Sequence, residues 1–412
     1  MDLLSICIPT YNNCDKLYGL LCSILYYNCR KAKIIVIDNA SDDGTEEMMR
    51  QFDNVEEVIY LRNDENLGFD GNVLRVIEEG KKYSLYSLWL GSDDVPYESF
   101  YQDIYDILEK NRPDLVLLNC FFYPTTWRFR YLGEDYTEHN LDKSISELLT
   151  TAFGLIVVNN TLLDASSAKR YYGTIHLYLG ALVDMLISVN EKKGNVNVYF
   201  TAKPHIYWGN KIWENHFDGS SYSDEITTGY GRIHASIPER VQETGKLNLQ
   251  CMATQRFPEY GVAWNTYCSI CGHKNNLPKL EDIKISDKFI HKNSRKRFVI
   301  FGAGYYGKKT LDFFGGQRDR ILYFIDNNPF LTGSQVDEYT IYPFSKLEEE
   351  ERDSIFIIIS MQYYKGREDA IRQLTEKGWK LGEEFQVYDM LQKQMIYDYL
   401  ETDSQGVMTE DV

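Results

Sequence analysis

Ser87-Leu88-Trp89-Leu90-Gly91-Ser92-Asp93-Asp94 is a short apolar run that ends in two adjacent carboxylates. Its length and unbroken apolarity predict a buried strand, and Val95-Pro96 with a helical pattern from Tyr97 closes it. Open α/β sheets bind ligands in the crevice at the carboxyl ends of their strands, so this strand delivers paired negative charge to a binding position. A plain alternative is a capped turn, since Asp before a helix is a common N-cap and Pro suits a first helical turn. The residues ahead of it decide between the two.

Leu3 to Ile8 is apolar with little alternation and is closed by Pro9-Thr10-Tyr11-Asn12. Leu17 to Tyr27 has apolar residues at helical spacing. Lys33 to Ile37 is a second buried strand, running into Asp38-Asn39-Ala40-Ser41-Asp42-Asp43-Gly44-Thr45. Val58 to Leu61 is a third, followed by Asn66-Leu67-Gly68-Phe69-Asp70-Gly71-Asn72 and a helix through Glu79. Strands alternating with helices predict an α/β fold with a parallel sheet wound by right-handed crossovers.

Four pieces carry a likeness: Pro9-Thr10-Tyr11-Asn12, Asp38-x-x-Ser41-x-Asp43-Gly44-Thr45, Asn66-x-Gly68-x-x-x-Asn72 and Gly91-Ser92-Asp93-Asp94. In them, each at a strand end and in order, the N-terminal half resembles the family 2 glycosyltransferases of the GT-A fold. The likeness is close over the first quarter of the chain and looser over the next. It implies a nucleotide-sugar site in which Asp38 holds the nucleoside and the Asp93/Asp94 pair holds metal and ribose. Tyr11 and Asn72 lie near the nucleotide, and Pro9, Thr10, Asn12, Asn66, Gly68 and Ser92 complete the site.

The residues suit that chemistry. A nucleotide sugar has a base edge, a ribose diol and a diphosphate that leaves with added negative charge. Asp38 accepts from a base N–H or a ribose hydroxyl. Asp93 and Asp94 are hard oxygen ligands for Mg²⁺ or Mn²⁺, which stabilises the leaving diphosphate. Paired carboxylates without a cation repel and raise one pKa. Many family members write this motif Asp-x-Asp; here Gly91 stands two before Asp93, which leaves open whether Asp93 or Asp94 is the principal ligand.

Asp114 to Asn119, Leu155 to Val158 and Val196 to Phe200 are further strand candidates, and the polar, aromatic Tyr123 to Asn140 reads as an acceptor-side loop. Tyr171-Tyr172-Gly173-Thr174-Ile175-His176 leads into the amphipathic run Leu177 to Val189, where many family members carry a Glu-Asp pair whose Asp is the catalytic base. No such pair is present, and His176 and Asp184 are the candidates. Eight residues apart on one helix they stand about 12 Å apart and cannot share a proton. His176 is the candidate base or metal ligand, against a structural histidine; Asp184 is more simply a helix-packing residue. The aromatic stretch from Lys203 to Asn210, with Trp213 and Phe217, suits sugar stacking or a membrane face that presents a lipid-linked acceptor, against ordinary core packing.

Near the C-terminus, Arg297 to Phe301 runs into Gly302-Ala303-Gly304-Tyr305-Tyr306-Gly307 and a helix, and the strand Ile321 to Ile325 ends in Asp326. This is the order of the dinucleotide-binding fingerprint, with the acid about twenty residues on. The segment resembles the small Rossmann-like modules attached to sugar-modifying enzymes, including the nucleotide-sugar-binding domains of bacterial sugar acetyltransferases. Gly302, Gly304, Gly307 and Asp326 are then a second nucleotide-like site. A ligand site, a dimerisation module whose glycines serve packing, and an oxidoreductase half all stay open.

The bulk composition bounds the rest. A chain of 412 residues implies two or three domains: 1–220 as the GT-A domain, 221–292 as a helical connector, 293–393 as the Rossmann-like domain and 394–412 as a disordered tail. A net charge of −17 without a long basic cluster argues against a nucleic-acid partner. With no basic n-region and no apolar run long enough to span a bilayer, a cytoplasmic location is expected, with room for peripheral contact at the inner membrane face. Cys7, Cys14, Cys22 and Cys29 read as buried thiols, and Cys268, Cys271 and His273 make only half of a zinc spacing. The expected activity is a metal-dependent, inverting transfer from a nucleoside-diphosphate sugar, UDP favoured, to a glycan or polyprenyl-linked acceptor in bacterial surface-polysaccharide synthesis, with room for a homodimer. The rivals are a bifunctional enzyme with C-terminal redox or epimerase chemistry, and a non-catalytic carbohydrate-binding or scaffold protein.

Overall fold

The computed structural model describes residues 2–27, 32–96, 99–122, 126–127, 135–208, 223–246, 282–361 and 364–399 apart from 389, 393 and 397. The chain divides into two compact units, the first holding Met1–Phe129 and Glu134–Gly245, the second Lys274–Val412.

In the first unit β1 (Asp2–Thr10), β2 (Lys33–Asp38), β3 (Val58–Arg62) and β4 (Ser84–Trp89) are separated by α1 (Cys14–Tyr27), α2 (Thr45–Met49) and α3 (Gly68–Tyr83). Then follow β5 (Val95–Pro96), α4 (Phe100–Asn111), β6 (Leu115–Phe122), β7 (Thr126–Trp127), β8 (Tyr136–Glu138), α5 (Leu141–Leu148), β9 (Ile156–Asn159), α6 (Ala165–Ala168), α7 (Leu177–Lys193), β10 (Val198–Trp208) and α8 (Ser223–Ala235). The main sheet runs β3-β2-β1-β4-β9-β6-β10-β5, with β7 and β8 attached to β6 and β10.

The first four strands are parallel, as their helical crossovers require. The all-parallel expectation fails at β9, which runs antiparallel to both β4 and β6. A buried apolar strand reads the same in either direction, so Ile156-Val157-Val158 carries no sign of its orientation. Because β9 reverses twice, β6 and β10 again point the same way as β4, and their carboxyl ends share one edge with Asp93 and Asp94.

α3 shows how the sequence builds one layer. Val73, Val76, Ile77 and Gly80 recur at helical spacing and are buried against the sheet, while Lys81 and Lys82 in the last turn suit the negative end of the helix. Gly80 allows the approach: a Cβ there would overlap Ser87 Oγ and stand 3.2 Å from Cys7 Sγ.

The second unit is a six-stranded sheet ordered β13-β14-β12-β11-β15-β16, from β11 (Arg297–Phe301), β12 (Ile321–Ile325), β13 (Gln335–Val336), β14 (Tyr339–Tyr342), β15 (Ile355–Ile359) and β16 (Phe385–Val387). All pairings are parallel except β13 with β14. Its core takes in Ile283, Ile285 and Ile290 at one end and Met395 and Ile396 at the other. The connector drawn over 221–292 is therefore divided: α8 belongs to the first unit, and residues from 283 pack into the second. The tail drawn from 394 begins inside the core, where Asp398 is buried and accepts from Ser286 Oγ at 2.5 Å. Cys29, Cys268, Cys271 and His273 lie outside the described residues.

Gly80→Ala is expected to lower the unfolding free energy by roughly 1–3 kcal/mol through overpacking. Gly19→Ala, in the exposed interior of α1 with open space at its Cβ, should be neutral or stabilising by about 0.4–1 kcal/mol. Urea-denaturation midpoints of the two variants measure both.

Candidate active site

After β4, Leu90 N–H still bonds to Cys7 carbonyl oxygen at 3.0 Å, extending the ladder one residue, and the chain then turns. The turn is closed twice: Asp94 N–H donates to Gly91 carbonyl at 3.1 Å, and Gly91 N–H donates to Asp94 Oδ2 at 2.7 Å. Ser92 is buried and accepts from Asn13 Nδ2 at 2.7 Å, which joins the acid turn to the loop between β1 and α1. The two acids differ. Asp93 is exposed, whereas Asp94 is only 4% exposed. Burial, then the charge of Asp93, push the Asp94 carboxyl well above its ordinary range, and the Gly91 N–H offsets only part of this.

Glycine at 91 has a steric reason. A Cβ there would stand 2.9 Å from Asp94 Oδ2 and 3.2 Å from Asp93 Oδ1, and one at Gly154, with φ +92°, would overlap Asp94 Oδ2. A carboxylate at 91 would crowd the buried acid. Gly154, with Phe153 beside it, was not visible in the sequence as part of the site, because a lone Gly before a strand carries no signature.

On the nucleoside side, Asp38 is fully buried at the end of β2. Its Oδ1 accepts from Ser41 N–H at 2.9 Å and Ser41 Oγ at 2.6 Å; its Oδ2 accepts from Tyr60 hydroxyl at 2.6 Å and pairs with the Arg62 guanidinium. Burial, with Asp38 alongside, raises the Tyr60 phenol. Every acceptor position of Asp38 is in use, so in this conformation it fixes the 38–45 loop and aims Tyr60 and Arg62 of β3; the sequence reading took Tyr60 only as strand and ended that strand before Arg62. The loop after β1 is tied to it: Asn12, at φ +48°, donates its N–H to Ser41 Oγ at 2.9 Å and accepts from Asp42 N–H at 2.9 Å. Pro9 and Thr10 close β1; Thr10 Oγ1 is buried without a partner, and Tyr11 is 48% exposed.

The third loop is an amide lattice. Asn39 Nδ2 donates to Asn66 Oδ1 at 2.8 Å and to Gly68 carbonyl at 3.1 Å, and Asn63 Nδ2 bridges Asn39 at 2.8 Å and Asn72 at 3.1 Å. Asn72 Nδ2 donates to Ile37 carbonyl at 3.1 Å, so the buried Asn72 holds the loop to β2. Gly68 adopts φ +70°.

His176 ends the loop before α7. An aromatic series leads to it from the acid turn: Trp89 lies parallel to Phe153 at 5.9 Å, Phe153 meets Tyr178 edge-on at 5.4 Å, and the imidazole lies 6.2 Å from Tyr178 and 4.2 Å from Tyr230. Both ring nitrogens are buried and without a hydrogen-bond partner. Burial pulls the imidazole pKa down to about 3, so it is neutral. Asp184 pairs with the Arg170 guanidinium and accepts from Tyr171 hydroxyl at 2.9 Å. That is a helix-packing role, and the catalytic assignment of Asp184 has no geometric support.

In the aromatic stretch, His205 is buried with Nε2 3.3 Å from Asp103, and Lys203 bonds Asp103 at 2.7 Å; residues 209–217 lie outside the described residues. In the second unit, a Cβ at Gly302 (φ +114°) would stand 2.7 Å from Ser360 carbonyl, and one at Gly307 would overlap Gly302 carbonyl, while Gly304 has open space. Asp326 accepts from Ala303 N–H and Asn328 N–H, both at 2.8 Å. Two of the three glycines are thus required by packing, and the acid ties the glycine turn to β12.

An α/β sheet whose carboxyl edge carries a buried and an exposed carboxylate beside a pinned polar loop lattice has its candidate ligand site at that edge. Residues 5–169 match the model of Glycosyl transferase family 2. Over 98 residues, 22% of this chain and 28% of the relative, the sequence is 43% identical to the abequosyltransferase RfbV of Salmonella typhimurium. It is 27% identical over 123 residues, 28% of this chain and 36% of the relative, to the poly(ribitol-phosphate) beta-N-acetylglucosaminyltransferase TarP of Staphylococcus aureus. The chain thus spans well under half of either relative. A crystal structure of S. aureus TarS 1–349 in complex with UDP-GlcNAc superposes with a TM-score of 0.48 at 13% identity, covering 77% of this chain and 90% of that one.

The raised Asp94 pKa has a pH consequence. The folded state keeps this proton to higher pH than the unfolded chain, so as pH rises from about 4 the unfolded chain binds fewer protons and stability falls. Thermal melts of chelator-treated protein across pH 4 to 8 should show this decline, and Asp94→Asn should flatten it.

Proposed function

We propose that the chain is a metal-dependent, inverting glycosyltransferase of GT-A type that moves a sugar from a nucleoside-diphosphate donor, UDP favoured, to a glycan or lipid-linked acceptor in bacterial surface-glycan synthesis. The observation that carries this reading is the buried Asp94 beside exposed Asp93 at the carboxyl end of β4, within a family 2 domain. Two hard carboxylates, one of them costly to ionise, suit a divalent cation better than they suit each other. Among the described residues no three His, Cys, Asp or Glu side chains converge as a metal cluster, so Mg²⁺ or Mn²⁺ held by Asp93 and Asp94 would complete its shell from diphosphate and water. When bound, such an ion stabilises the charge of the departing diphosphate.

The protein's own groups supply the rest. The Asp38–Ser41–Arg62 assembly and the asparagine lattice hold the nucleotide-side loops in place before the donor arrives. Tyr11, exposed in the loop after β1, would cover the nucleotide. Neutral His176, with two unsatisfied nitrogens, is suited to accept a hydrogen bond from an acceptor hydroxyl; its low pKa disfavours a resting charged form, and among the described residues it does not join Asp93 and Asp94 in a three-ligand metal cluster. The names of the two partial relatives, an abequosyltransferase and a poly(ribitol-phosphate) glycosyltransferase, support a surface-glycan acceptor. No helix among the described residues is long and apolar enough to cross a membrane. In this proposal a lipid-linked acceptor would be met by peripheral contact at the cytoplasmic face.

Thermal shifts with UDP, GDP and their sugars, with and without Mn²⁺, test this. A donor at about 100 times its dissociation constant should add roughly 2.7 kcal/mol to folding stability, with a matching rise in Tm. Asp93→Asn should remove the Mn²⁺-dependent part. No response to any nucleotide with Mn²⁺ present would overturn the reading.

A further inference from the structure

The loop that delivers His176 is clamped from three sides. Asp70, in the first turn of α3, does not cap its own helix: its Oδ2 receives Thr174 N–H at 2.8 Å and Ile175 N–H at 3.0 Å. From α8, Gly229 lies so close that a Cβ there would overlap Thr174 carbonyl. Tyr172 hydroxyl donates to Leu67 carbonyl at 3.0 Å, and a Cβ at Gly71 would stand 2.9 Å from that hydroxyl. Between these clamps Ile175, a β-branched residue, sits at φ +59°, a conformation that persists only where the surroundings over-determine it. His176 follows at once, its N–H on Thr174 Oγ1 at 3.2 Å and its carbonyl accepting from Gly180 N–H at 3.2 Å. Asp70 is 6% exposed and its Oδ1 is buried without a partner, a cost that local helix capping would not explain.

We propose that Asp70 is a positioning residue: by holding the Thr174 and Ile175 amides it maintains the left-handed Ile175 and so sets the His176 imidazole in its place against Tyr178 and Tyr230. Asp70 belongs to the same loop and helix start as Asn66, Gly68 and Asn72, which the lattice ties to Asn39 beside Asp38. One carboxylate thereby joins the nucleotide-side loop to the residue proposed to meet the acceptor. The proposal rests on the reading of His176 given above.

Its test uses the full-length protein. UDP release from UDP-glucose, UDP-galactose and UDP-N-acetylglucosamine with Mn²⁺ gives kcat and KM, and the ¹³Cε1–¹H signal of His176, assigned with His176→Ala among the seven histidines, reports the ring with Mg²⁺ in place of Mn²⁺. Asp70→Ala is expected to lower kcat about 10- to 100-fold with donor KM held within about twofold. It should move the His176 signal and leave the other six in place. Asp70→Asn, which still offers an oxygen to both amides, should stay within about threefold of wild type. The Asp70→Ala/His176→Ala double variant should be no slower than His176→Ala alone, as for residues acting as one unit. An Asp70→Ala enzyme with wild-type kcat, a loss that adds to that of His176→Ala, or an unmoved His176 signal overturns the proposal. Should Asp70→Ala not fold, Asp70→Ser, too short to reach both amides, is read in its place. If wild type releases no UDP, or His176→Ala is as fast as wild type, the transferase role of His176 falls, and the His176 signal in Asp70→Ala still decides whether Asp70 sets the ring.

Discussion

The Asp94 carboxylate is removed from water and set next to a second acid, with one backbone N–H to steady it. A buried carboxylate in that position raises its own pKa and destabilises the ionised site, so the protein keeps it only by shaping its surroundings. Gly91 and Gly154 stay without side chains because a Cβ at either would crowd it, and the tight turn through 91–94 exists to close on it. β9 contributes through its position: inserted antiparallel between β4 and β6, it lets Gly154, just ahead of it in the chain, reach the same edge.

How much of this could be read in the sequence depends on which forces the residue types encode. The first four strands were legible because unbroken apolar runs between helical periods have one physical meaning, and the acid turn because paired Asp at a strand end is rarely neutral in effect. The direction of β9 was not legible, since apolarity carries no polarity of direction. Nor were the partners of Asp38: that an Asp at a strand end would be saturated by Ser41, Tyr60 and Arg62 depends on β3 lying beside β2, a tertiary fact. His176 was picked for its place before an amphipathic helix. What holds that place, the Asp70 carboxylate, was quoted in the sequence motif and passed over, because its contacts lie across the fold in a different loop.

The second unit teaches the opposite lesson. Its glycine pattern and following acid read as a ligand fingerprint, yet Gly302 and Gly307 are each required by backbone packing, and both oxygens of Asp326 are used by Ala303 and Asn328 amides. The pattern identifies a tightly packed strand–turn–helix. Occupancy by a ligand is a separate property that packing alone does not supply.

The carboxyl edge of the first unit spends its polar groups on itself to an unusual degree. Asp38, Asn39, Asn63 and Asn72 are buried, and their side chains bond to neighbouring loops rather than to open solvent. Loops held this way have already lost their conformational entropy in folding, so a ligand meeting them does not bear that cost on binding. The atoms left unsatisfied then acquire significance by contrast: Thr10 Oγ1, Asp70 Oδ1, Trp89 Nε1 and both nitrogens of His176, beside loops whose buried amides and carboxylates are bonded to one another. Rigid, internally satisfied surroundings with a few open polar atoms and an uncompensated acid pair are what the proposed donor site would offer an incoming ligand, and the same rigidity allows a strained residue such as Ile175 to be kept in place among them.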